Sequence, residues 1–313
     1  MHVPSARPLR RTATLVALAA VVLLAAAMVP VPGVFPAAAG GVLTALIALT
    51  ISVRDALIAT VVQTALAVIA IGASSMVILS VTFMVAIAIG VAAATRIGRG
   101  TVALVVGAQL ALIVTATAEL GMPHSALGVG GAILASGLLI CSGAIFVVGW
   151  APVSVSRTPR TEVVANLAVL TPLVALATWV TVAVFDSTRG WALAAFLIAA
   201  AVGVMPGRSL ARLLAVISGA FLAAIVVTVS AGVPVLVAVV AVLGAGISAA
   251  TGRTLALAAT LTAAVLLIGA SSIAAIDVTL PDPLLAGVSG AFVAWAALAS
   301  IDWLTSRHAT LKA

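Results

Sequence analysis

Apolar residues run along this chain with few interruptions, broken by short islands of charge, proline or glycine. The runs approach the roughly 20 residues that a helix needs to cross a hydrocarbon core. The pattern predicts about twelve helices: 12–30, 34–52, 56–73, 75–95, 101–119 and 126–150, then 163–185, 190–206, 209–230, 233–250, 254–275 and 284–304. Several sit near the short limit, which suits tilted or broken spans. The N-terminal run follows a basic head as a signal peptide would, but further runs follow at once, so it reads as an uncleaved first span.

Composition strengthens this reading. Of 313 residues, 65% are hydrophobic and 7% charged, whereas soluble domains average roughly 25% charged. Too little charge is present to coat a water-facing surface, so the expected class is an all-α polytopic membrane protein. The formal net charge of +7 comes from arginines placed singly or in pairs between apolar runs. Its natural counterpart is the anionic inner leaflet, not nucleic acid. Cys141 is the one cysteine, which excludes an intrachain disulfide.

Loop charge then orients the spans. With both termini cytoplasmic, the inner segments hold Arg7, Arg10, Arg11, Arg54, Arg96, Arg99, Arg157, Arg160, Arg208, Arg212, Arg253, Arg307 and Lys312, and the outer loops only Arg189. The positive-inside rule expects this split. The location expected is a bacterial-type inner membrane.

The chain also repeats at 154 positions, the distance from Arg54 to Arg208. Gly90 maps to Gly244, Gly98 to Gly252 and Arg99 to Arg253. An even number of spans per half makes the repeat parallel. The organisation expected is a six-helix repeat over 1–150, a cytoplasmic linker over 151–162, and a second six-helix repeat over 163–313. Gly90, Gly98, Gly244 and Gly252 sit on small-residue faces suited to tight helix packing.

The stretch "RGWALAAFLIAAAVGVMPGRSLARLLAVISGAFLAAIV" (189–226) resembles the core of the fusaric acid resistance protein-like (FUSC) family. That family includes aromatic acid exporters and is related to plant aluminium-activated malate transporters. Trp191, Gly207, Arg208, Arg212, Ser218 and Gly219 carry the likeness. In the first half Phe35, Arg54 and Thr64–Ala65 match more weakly, with Ile58 in place of the second arginine. Many family members hold a large cytosolic domain between or after the membrane halves, and the linker at 151–162 has no room for one. The resemblance implies an exporter or channel for small organic anions, aromatic acids among them.

Arg54, Arg208 and Arg212 are accordingly the candidate substrate-binding residues. Helix-start N–H groups favour anions, and arginines placed there concentrate positive field. The plainer reading makes them topology anchors. Arg54 precedes Asp55, so a local charge pair is expected there. Gln63, Gln109 and Asn166 lie inside predicted spans, where interhelical hydrogen bonding is the default role and lining a pathway the second. No carboxylate falls clearly at midspan, which disfavours a proton relay. No phosphate loop, metal spacing or catalytic triad is present, so neither an enzyme nor a metal or organic cofactor is expected.

The partners expected are membrane lipids and a small organic anion, and a homo-oligomer stays open. The inside-negative potential alone favours anion export, by about 2.3 kcal/mol per charge per 100 mV. Two other readings remain: a facilitator of another superfamily, and a non-transporting scaffold or lipid-interacting subunit of an envelope complex.

Overall fold

The computed structural model describes residues 6–29, 31, 33–120, 126–147, 160–183, 190–201, 209–229, 234–250, 254–272, 285, 287–296 and 299–300. Every regular element among them is helical. In order these are α1 (Ala6–Ala27), α2 (Val34–Leu49), α3 (Val53–Ala73), α4 (Val77–Arg96), α5 (Gly100–Leu120) and α6 (Ala126–Val147). Then come α7 (Arg160–Ala183), α8 (Gly190–Ala201), α9 (Ser209–Val229), α10 (Pro234–Ala250) and α11 (Thr254–Ser272). Gly287–Ala296 forms a further apolar helical piece. The helices lie on the apolar runs in sequence order. Val53–Ala73, Val77–Arg96 and Ala126–Phe146 are each long and apolar enough to cross a membrane.

Local chemistry sets the breaks between helices. Ser52 caps α3: its Oγ accepts from the Asp55 N–H at 3.0 Å and donates to Asp55 Oδ2 at 2.6 Å. One free N–H of the helix start is thereby satisfied, and the Asp55 carboxylate gains a donor. At the other end of α4, Gly98 adopts a left-handed φ of 78°, which costs glycine nothing. The Arg99 N–H then reaches back to Ala94 O at 2.8 Å and the Gly98 N–H to Thr95 O at 3.1 Å. That double closure stops α4 and turns the chain straight into α5.

The turn also delivers Arg99 to the start of α3, where its Nε lies 2.6 Å from Asp55 Oδ1. This corrects the pairing expected from sequence. Neighbours at i and i+1 on a helix point in different directions, so Arg54 stays exposed and Asp55 takes its partner from the α4–α5 turn. Asp55 is the better buried of the two, at 10% against 48% exposure for Arg99. Asp55→Ala is expected to lose the cap contact and the ion pair together, costing about 1–2 kcal/mol. Arg99→Gln, losing only a half-exposed charge, should cost about 0.5 kcal/mol. Thermal midpoints of the two variants in detergent check this order.

Burial divides the helices into two groups. Phe35 and Ala37–Ala48 of α2, most of α5 from Val102 to Thr115, Leu193–Ile198 of α8 and Leu261–Ile268 of α11 are buried. Helices that are apolar and buried all round belong to the centre of a large bundle. Around them α3, α4, α6 and α9 bury one face and expose large apolar side chains on the other, including Ile58, Val61, Ile69, Ile78, Leu139 and Phe221.

Several packing pairs recur on advancing six helices. α1 packs on α10 as α7 does on α4, and α2 on α11 as α8 on α5. Likewise α3 meets α5 as α9 meets α11, and α4 meets α5 as α10 meets α11. α5 also touches α11, a pair that maps onto itself. α1 and α2 thus lie on α10 and α11, and α7 and α8 lie on α4 and α5.

Candidate functional site

Most buried hydroxyls in this bundle are satisfied by their own helix. Thr60, Thr115, Thr178 and Thr262 donate to the carbonyl four residues back, at 2.7–2.9 Å, the usual resort of Ser and Thr inside apolar helices. One cluster departs from this rule. Gln63 stands at the middle of α3 and Gln109 near the middle of α5. Their side chains are 1% and 4% exposed.

Gln63 Nε2 donates to Gln109 Oε1. Among the described residues Gln63 Oε1 and Gln109 Nε2 have no partner, and neither has Thr44 Oγ1 on α2. Leaving a buried polar atom unpaired costs about 1–3 kcal/mol, and more in surroundings free of water.

Small residues make the room for this pair. A Cβ on Gly40 of α2 would lie 2.7 Å from Gln109 Oε1 and 3.4 Å from Gln63 Nε2. Gly40 therefore forms the wall against which both amides rest. Thr44 lies one turn further along the same helix face.

α6 closes the remaining side. Its Ser136 Oγ lies 3.0 Å from Ala38 O of α2 and 3.1 Å from Ile133 O of its own helix, so it donates between the two. A Cβ on Gly41 would fall 2.5 Å from Ile133 O and close on Ser136 Oγ, so α2 and α6 cross nearly backbone to backbone. A Cβ on Gly137 would lie 2.7 Å from Thr60 Oγ1, which brings α6 equally close to α3. The buried Cys141 lies one turn further along α6.

A stretch 154 positions further along holds Ala194, Ile198, Ile217 and Ala263 where the cluster has Gly40, Thr44, Gln63 and Gln109. All four of these apolar side chains belong to or pack against the core. A further close crossing lies between α9 and α11: a Cβ on Gly219 would strike Ala259 O and lie 2.9 Å from Thr262 Cβ.

The other sequence-predicted residues fall elsewhere. Arg54 is exposed at the start of α3, at the same end of the bundle as Arg96 and Arg99. Arg208 and Gly252 lie outside the described residues. Arg212 belongs to the first turn of α9 and Asn166 to α7, with the side chains of both outside the description. Among the described residues no three His, Cys, Asp or Glu side chains gather as a metal site requires.

The glycines expected to pack helices tightly need correction. Gly90 is exposed on α4 with open space where a Cβ would sit, and Gly244 meets only Thr260 Cγ2 at 3.9 Å. Gly98 serves the turn after α4 and not a helix face. The close crossings use Gly41, Gly137 and Gly219 instead. Gly40 and Thr44 also escaped the sequence reading. Their signal is the run "AAAGG" (37–41), followed by a threonine four residues after Gly40. No family model, curated protein or solved structure matches this chain.

Proposed function

We propose that this chain is a multi-pass membrane transport protein for small organic acids, aromatic ones foremost. The observation that carries the reading is the buried Gln63–Gln109 amide pair at the middle of α3 and α5, with two amide atoms left without partners among the described residues. A bundle built only to fill a membrane gains nothing from buried polar atoms without partners, and intramembrane polar groups of this kind mark solute paths. The FUSC resemblance supports the same substrate class. Arg54, Arg96 and Arg99 share one end of the bundle, while the 74–76 turn at the opposite end carries no charge. That bias supports an orientation with the arginine end cytoplasmic. Exposed Arg54 then gives an anion its first contact, joined by Arg208 and Arg212 in the other half.

The packing correspondence over six helices supports twelve spans in two parallel repeats, with both termini inside. In this layout α2, α5, α8 and α11 form the centre and the amide cluster lies at the bilayer midplane. A second reading rests on the hydrogen bond itself: Gln63 and Gln109 join α3 to α5, as polar pairs do in membrane scaffolds. Flux separates the two. Purified protein in liposomes loaded with labelled 3,4-dihydroxybenzoate should release the label well above protein-free liposomes. Release at the protein-free rate, across a panel of aromatic and dicarboxylic acids, would leave the scaffold.

A further inference from the structure

The hydrogen-bonding valences left over at the Gln63–Gln109 contact define what the site can hold. Each side chain brings one carbonyl and one NH2 group. Their mutual bond uses one carbonyl and one N–H, leaving Gln63 Oε1 and Gln109 Nε2 without partners. Exchanging O and N on both side chains reverses that bond and leaves the same remainder, one acceptor and one donor group. Thr44 adds a hydroxyl able to serve as either.

Among the described residues the surroundings are neutral. α2, α6, α8, α10 and α11 carry no acidic or basic side chain apart from the buried Cys141 thiol. α5 has none before Glu119, close to its far end. On α3 the charges are Arg54 and Asp55, about two turns from Gln63, and Arg99 neutralises Asp55. α4 holds only Arg96, in its last turn, and α1 only the arginines of its opening turns.

A carboxylate offers acceptors alone. It would pair with the free NH2 and with Thr44, but face the Gln63 carbonyl unpaired and meet no cation. A neutral group carrying both a donor and an acceptor supplies what each amide remainder lacks. We propose that Gln63, Gln109 and Thr44, walled by Gly40, form a single midplane site for a neutral donor–acceptor group: a primary amide or an undissociated carboxyl. The inference rests on the transport reading for its natural ligand and specifies the form that passes. The acid crosses the midplane with its proton on, so that step carries no net charge. The apolar counterparts Ala194, Ile198, Ile217 and Ala263 restrict the site to one per chain.

Benzamide and benzoic acid, followed by ligand-observed NMR on the full chain in nanodiscs, test this directly. Benzamide should bind with the same affinity from about pH 4 to about pH 8, while benzoic acid should bind only as it becomes protonated. Gln63→Leu/Gln109→Leu should weaken benzamide by at least about tenfold, the worth of one or two hydrogen bonds. Gly40→Ala, which keeps both amides but crowds them, should also weaken it, and carries the test if the double variant fails to fold. Ala194→Gly, at the matching place in the second half, should bind as the wild type does.

The proposal is overturned if neither probe binds, if benzoate at about pH 8 matches benzamide, or if benzamide ignores the glutamine and glycine changes. Acid flux without benzamide binding overturns this site and leaves the transport reading standing. Benzamide binding at the glutamines without flux does the reverse.

Discussion

Gly41→Ala should prevent the bundle from assembling, whereas Gly90→Ala should leave it as stable or slightly more so. Both changes add one methyl group to a helical glycine. At Gly41 the new carbon would fall 2.5 Å from the Ile133 carbonyl oxygen and against Ser136 Oγ. A backbone atom cannot rotate aside, so α2 and α6 must separate. That separation also breaks the Ser136 bond to Ala38. Overpacking alone costs about 1–3 kcal/mol, and the lost interhelical hydrogen bond adds about 1 kcal/mol. At Gly90 nothing lies within 4 Å, so the helix simply gains alanine's propensity, up to about 1 kcal/mol. Yield of monodisperse protein and the thermal midpoint in detergent decide this. Equal behaviour of the two variants would contradict the α2–α6 crossing.

The second large effect is one of sign. Gln63→Leu alone should destabilise more than Gln63→Leu combined with Gln109→Leu. The single change removes the hydrogen bond and strands every polar atom of Gln109 in the core, a cost of about 1–3 kcal/mol. The double change replaces both amides by apolar groups of similar size, which is close to neutral. A double-mutant cycle on unfolding free energies reads the coupling directly. Additive losses would mean that the two amides do not depend on one another.

How much of this was written in the sequence differs from element to element. The helices were legible because unbroken apolar length is a strong signal, and Gly98 and the Ser52-to-Asp55 spacing sit where the breaks occur. Gln63 and Gln109 were visible one by one as polar residues in apolar runs. Their meeting was not, since periodicity along one helix does not say which helices are neighbours. The packing glycines were misread for a related reason. In a chain so rich in alanine and glycine, a four-residue spacing of small residues arises on faces that touch nothing, as at Gly90. Only burial separates that face from Gly40 and Gly41. Asp55 shows the same limit, because adjacency to Arg54 in sequence places the two side chains on different sides of the helix. Arg208 and the side chain of Arg212 lie outside the described residues, so the anion-binding role proposed for them rests on the sequence pattern and the resemblance.

The Gln63–Gln109 pair joins the account of stability to the account of function. A stable Gln63→Leu/Gln109→Leu protein makes the decisive experiment available: flux of labelled 3,4-dihydroxybenzoate in proteoliposomes, with inserted protein matched to wild type. The account predicts a fall of at least about tenfold, corresponding to two lost hydrogen bonds to the passing solute. Wild-type flux through the double variant would contradict it.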